Sequence, residues 1–262
     1  IKITLVPHTC HMFKRDEDIA NLKSKNLNNF YPNIVVTSER MKKILIDCGI
    51  NIQKIKNLGS ARFCKESLNL LDIIYKNNNF RLRKQKKLIK VLYIDGAYDN
   101  QSEKITLINN MSNLDFISLI IKAHPRGLFS LTNKKFQENR FNNNLNVDLV
   151  TPTKKLIEYS DIVIATYSSV LVDAMLLKKI ILVPKYLLKQ HLGFEIFFES
   201  YNFAKVCHNI REVLSYLESF KRNRKINKFH NNNKIKSFVC DYVYGGQSNS
   251  TKILKSYYNL IK

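Results

Sequence analysis

Residues 161–184 constrain the fold of this chain more than any other stretch, because strand, helix and strand follow one another there almost without slack. Residues 161–165 form an apolar β-branched run, residues 169–177 an apolar helix, and residues 180–184 a second β-branched run. Short buried strands joined through helices are the rhythm of a parallel sheet with helices on both faces, so the expected fold class is α/β. The apolar run 162–183 is interrupted by Tyr167, Ser168, Ser169, Asp173, Lys178 and Lys179, which excludes a bilayer-spanning reading of it.

The same alternation extends over the rest of the chain. Residues 3–6 read as a strand that runs into Pro7 and His8, and residues 33–37 as a second. Ser38 stands where it caps a helix over 39–48, and Gly49 follows where a helix end needs positive φ. Residues 55–58 form a third short strand, and 65–75 a helix. Residues 76–87 are basic and aperiodic, which marks a linker and places a domain boundary near Lys87. Beyond it the pattern predicts strands over 88–94, 116–122 and 147–149, and helices over 103–111, 154–159, 210–220 and 250–261. Residues 221–236 read as a basic, Asn-rich loop or frayed helix.

A net charge of +22 invites a nucleic-acid partner. The same sequence is rich in Asn and Ile, the bias of an AT-rich coding sequence, and its basic residues are spread evenly rather than gathered with aromatics. The expectation is therefore no nucleic acid, with a positive surface suited to phosphate-rich ligands and to peripheral contact with an anionic membrane face. Five widely separated cysteines without a CxxC pair support neither a zinc site nor a disulfide framework, and read as reduced thiols of a cytoplasmic protein. The chain opens directly on an apolar run at Ile1, from which a missing N-terminal portion is expected.

Ligands of open parallel sheets bind outside the C-terminal strand ends, and three loops there carry suggestive residues. After residues 117–121 come His124, Pro125 and Arg126, a hydrogen-bond donor and a cationic fork for phosphate. After 161–165 come Thr166, Ser168 and Ser169 at a helix start, where free backbone N–H groups and the positive helix end make an anion site. A plain Ser cap is the competing reading of that turn. His8, after the first strand, could act as general base on an acceptor hydroxyl. Glu195, after Gly193 and Phe194, is placed to reach a ribose or sugar hydroxyl. GxGxxG, Walker and HExxH patterns are absent, and a metal-independent transfer is expected.

The segments VVTSERMKKILIDCGI, IKNLGSARF, LIIKAHPRG and YSDIVIATYSSVLVDAMLLKKIILVP, in this order, resemble the two-Rossmann-domain (GT-B) glycosyltransferases of bacterial surface-polysaccharide synthesis. They are also similar to the CDP-glycerol and CDP-ribitol polyol-phosphate transferases of teichoic-acid assembly. The resemblance covers roughly residues 3–184. It implies a partial N-terminal acceptor-side domain over 1–87, and a nucleotide-donor domain over 88–262 whose last segment returns toward the first. It further implies that His124, Arg126, Ser168 and Ser169 hold the donor diphosphate, and that His8 matches the position of the base. Thr9 stands where the family has Gly after that histidine.

The leading expectation is a glycosyltransferase that moves a sugar from a nucleotide-sugar donor to a surface polysaccharide or lipid-linked glycan. The nucleotide-activated donor would be a substrate, with no further cofactor and no metal, and the enzyme would work in the cytoplasm at the inner membrane face. Three alternatives stand beside it, namely polyol-phosphate transfer from a CDP donor, sugar-nucleotide 2-epimerisation, and a non-catalytic remnant that binds polyanions.

Overall fold

The computed structural model describes residues 4–7, 13–14, 16–24, 27–76, 88–96, 98–123, 145–166, 168–188, 195–224 and 232–261. In chain order the first strands are β1 (Thr4–Leu5), β2 (Phe13–Lys14), β3 (Asn33–Val36) and β4 (Ile55–Asn57). Then come β5 (Ile89–Ile94), β6 (Ile117–Lys122), β7 (Leu145–Asp148), β8 (Ile162–Ala165) and β9 (Ile180–Pro184). The last two are β10 (Glu195–Ile196) and β11 (Lys205–Cys207). The chain divides into two compact units, one of Ile1–Asn79, Leu192–Tyr201 and Asn232–Lys262, the other of Phe80–His191 and Asn202–Asn231.

In the first unit β1, β3 and β4 form a parallel sheet in that order. Leu27, Ile34, Val36, Leu45, Ile50 and Ile55 make its core. The helix Glu39–Asp47 starts as its sequence predicts, with Ser38 Oγ accepting from Met41 N at 3.2 Å. It stops at Gly49, whose φ of 86° is strained for any residue with a Cβ. A two-residue antiparallel pair, β2 with β10, has no counterpart in the sequence reading. The helix Asn232–Phe238 begins within residues 221–236, the stretch expected to be a loop or frayed helix, and extends two residues past it. It runs on into a π-helical turn, Val239–Val243, and Phe238 and Tyr242 of these two elements stack at 5.1 Å. Phe197, Phe198 and Tyr201 pack around that pair. Burial of these rings decides the conformation where an Asn-rich composition alone would not.

The second unit holds a six-stranded sheet of order β11-β9-β8-β5-β6-β7, every pair of it parallel. Val91, Leu92, Tyr93, Leu119, Ile121, Ile162, Ile164 and Leu182 are fully covered, as expected of a sheet with helices on both faces. Each such aliphatic side chain contributes about 2 kcal/mol of burial free energy. Helices Gln101–Ser112, Thr153–Tyr159, Val170–Leu176 and Ile210–Arg222 form within a few residues of their predicted bounds. The short edge strand β11 is an addition to the sequence reading. Among the described residues no helix is long and apolar enough to cross a membrane.

Candidate functional site

Strand order locates the site. From β5 the chain moves outward to β6 and β7, then returns to the other side of β5 to lay down β8, β9 and β11. The direction of winding therefore reverses between β5 and β8, and the crevice outside their C-terminal ends is the switch point of the sheet. The register pairs Ile94 with Ala165, so the two loops that leave these strands start side by side.

The loop after β8 carries Thr166, Ser168 and Ser169. Thr166 is buried and donates its hydroxyl hydrogen to Asp99 Oδ1 at 2.5 Å. Ser168 and Ser169 are half-buried. Ser168 N donates to Thr166 O at 3.0 Å, and Ser168 Oγ accepts from Val170 N at 3.3 Å. Ser169, at the N-cap position of the helix Val170–Leu176, has helical φ and ψ and makes no capping bond with its side chain. The expectation of free N–H groups at this helix start needs correcting. Val170 N is taken by Ser168 Oγ, Leu171 N by Ser168 O at 3.4 Å, and Val172 N by Ser169 O at 3.0 Å. The first turn winds tightly enough to satisfy its own donors, so what the turn offers an anion is chiefly hydroxyl groups.

The loop after β5 adds residues that lie outside the His, Ser and Arg set expected from the sequence. Asp99 is 1% exposed and accepts three hydrogen bonds. Besides the Thr166 hydroxyl these come from Tyr93 OH at 3.0 Å and Gly96 N at 3.1 Å, both to Oδ2. Burial raises the Asp99 carboxyl from its ordinary 3.8 to about 6, against the pull of its Thr166 and Tyr93 bonds and the Lys104 charge. Burial likewise holds the Tyr93 phenol well above its ordinary value, with the Asp99 and Asp95 charges adding to it. Gly96 has no room for a side chain, since a Cβ there would lie 2.4 Å from Thr166 Oγ1 and 2.6 Å from Asp99 Oδ1. Asp95, just past β5, forms a buried ion pair of 2.5 Å with Lys104 on the helix Gln101–Ser112. Two aspartates and a glycine directly after a buried strand, in DGAYDN, are the signal in the sequence that marks this loop.

Next to these, at the ends of β6 and β7, Lys122 Nζ donates to Thr151 O at 2.8 Å. Asp148 takes the N–H groups of Val150 and Thr151 there. The chain leaving β6 is described only as far as Ala123. His124 and Arg126 lie outside the described residues, as does His8. Glu195 belongs to the first unit, where its backbone pairs with Lys14 in the β2–β10 ladder. Of the predicted residues, then, Thr166, Ser168 and Ser169 come together at the switch point. Among the described residues no three His, Cys, Asp or Glu side chains gather as ligands for a metal ion.

A family model described as CDP-glycerol:poly(glycerophosphate) glycerophosphotransferase matches residues 106–254 of the 262. No curated protein matches the chain. Among solved structures, the wall teichoic acid polymerase TagF soaked with CDPG is 14% identical and superposes with a TM-score of 0.57 over 94% of this chain. Anabaena HepE in complex with UDP and glucose is 11% identical, with a TM-score of 0.61 over 99% of this chain and 71% of its own. The UDP-GlcNAc 2-epimerase of Methanocaldococcus jannaschii, in complex with UDP-GlcNAc and UDP, is 18% identical, with a TM-score of 0.56 over 80% of this chain. At such identities the likeness is one of fold. The chain spans 60% of the length of both the polymerase and the epimerase.

Proposed function

The chain belongs to the CDP-glycerol:poly(glycerophosphate) glycerophosphotransferase family, and on that premise we propose that its second unit binds the diphosphate of a nucleotide-activated donor for transfer to a surface-glycan acceptor. The favoured donor is a CDP-activated polyol phosphate. The observation that carries this reading is the hydroxyl turn of Ser168 and Ser169 at the β5–β8 switch point, within the matched residues. An acceptor hydroxyl would attack the polyol phosphorus, the bridging P–O bond would break, and CMP would leave with the bridging oxygen. Hydrogen bonds from Ser168 and Ser169 would meet the charge that develops on the departing phosphate.

His124 and Arg126 complete the anion cradle in this proposal, and His8 takes the acceptor proton. Glu195 is assigned to a ribose or polyol hydroxyl of the donor. A glycan or lipid-linked acceptor at the inner membrane face suits the net charge of +22.

Glycosyl transfer is the second reading, supported by the fold shared with HepE, whose structure holds UDP and glucose. There the anomeric C–O bond breaks instead, and a nucleoside diphosphate leaves. Incubation with CDP-glycerol and with UDP- and GDP-sugars, in the presence of a lipid-linked glycan acceptor, separates the two. Release of CMP supports polyol-phosphate transfer, release of UDP or GDP supports glycosyl transfer, and release of neither removes both. His124→Ala is expected to lower turnover, and His8→Ala to lower it with little change in donor affinity.

A further inference from the structure

The half-buried hydroxyl of Ser168 is fastened to the interior by a short chain of hydrogen bonds that ends in one carboxylate. Ser168 N bonds to Thr166 O, the Thr166 hydroxyl bonds to Asp99, and Asp99 is held in turn by Tyr93 OH and Gly96 N. The far side of the same loop is anchored as well, through Asn100 N to Leu187 O at 2.7 Å and a bridge between Asp99 and Leu188. One buried group thus ties the loop after β5 to the turn after β8, across the two strands where the winding of the sheet reverses.

We infer that Asp99, acting through Thr166, is the positioning residue that sets the Ser168 and Ser169 hydroxyls for the donor diphosphate. The inference rests on the proposed reading of that turn as the donor site. Neither Asp99 nor Thr166 touches the donor in this account. Both side chains are buried, and Thr166 commits its hydroxyl hydrogen to the carboxylate. Their effect is geometric, since hydroxyls that serve a transition state must be held to within a fraction of an ångström. Threonine suits the post because its branched Cβ restricts χ1, so the bond to Asp99 also fixes the side chain's rotamer.

A double-mutant cycle on the full chain tests this, with CDP-glycerol as the probe and calorimetric affinity as the readout. Thr166→Val keeps the shape and removes the hydroxyl. It is expected to weaken CDP-glycerol binding about tenfold in the parent, and to have no further effect in a Ser168→Ala/Ser169→Ala background, where nothing is left to position. Thr166→Ser, which keeps the hydroxyl, is expected to restore most of the affinity, and Asp99→Asn to behave as Thr166→Val does. Should the valine variant not fold, Thr166→Ala takes its place in the cycle. An equal loss from Thr166→Val in both backgrounds, or no loss in the parent, overturns the positioning role and leaves the donor-site reading intact. Unchanged affinity in Ser168→Ala/Ser169→Ala itself removes the donor-site reading and the inference with it.

Discussion

Asp99 and Thr166, 67 residues apart in sequence, meet at 2.5 Å in the interior of the second unit, and their bond closes the gap between the loops that leave β5 and β8. The register that pairs Ile94 with Ala165 brings the two loops to the same level, and Gly96 allows them to touch. The place where the sheet reverses its winding is therefore also where its two central loops are locked to each other.

Gly96→Ala probes that lock. The added Cβ would sit 2.4 Å from Thr166 Oγ1 and 2.6 Å and 2.7 Å from the two Asp99 oxygens, so the carboxylate or the threonine must shift. A loss of about 2 kcal/mol is expected from the overpacking, read as a lower urea midpoint. An unchanged midpoint would contradict so tight a contact between the two loops.

Asp99 also gives stability a defined pH dependence. Its carboxyl is raised in the folded protein from 3.8 to about 6, so folding holds that proton more tightly than the unfolded chain does. The stability it contributes is complete below pH 3.8 and is lost as pH rises through about 6. The span corresponds to on the order of 3 kcal/mol. Tyr93, Asp95 and Lys104 surround the carboxyl and set its field. Asp99→Asn cannot titrate, so urea unfolding at a series of pH values should show the parent losing stability relative to the variant as pH rises from 3.8 to about 6. A stability difference between the two that does not change over that range would contradict the assignment.

The Asp95–Lys104 pair makes a separate claim. Both side chains are 1% exposed and 2.5 Å apart, so removing the ammonium strands a carboxylate in the interior. Lys104→Met is expected to cost about 3–5 kcal/mol, and the double variant with Asp95→Asn clearly less. Equal losses for the single and double variants would show that the two groups are not energetically paired.

Much of this architecture is legible in the sequence, because its signals are local. β-Branched runs announce β5, β6, β8 and β9, and Ser38 and Gly49 mark the two ends of one helix as their chemistry requires. What escapes is set by contacts far along the chain. β11 is three residues long and exists because β9 lies beside it. The helix Asn232–Phe238 draws its support from aromatic rings that reach it from residues 197–201. Asp99 has no periodic context at all, since its burial follows from the strand order that places Thr166 next to it. The hydroxyl turn after β8 was readable as a strand-to-helix junction, whereas the local pairing of its N–H groups depends on how tightly the short helix begins.

Calorimetric titration of CDP-glycerol into the parent and into Ser168→Ala/Ser169→Ala tests the central claim most directly. Affinity is expected to fall about tenfold, while the thermal midpoint drops by no more than the loss of the single Ser168 Oγ–Val170 N bond accounts for. A double variant that binds CDP-glycerol as tightly as the parent would contradict it.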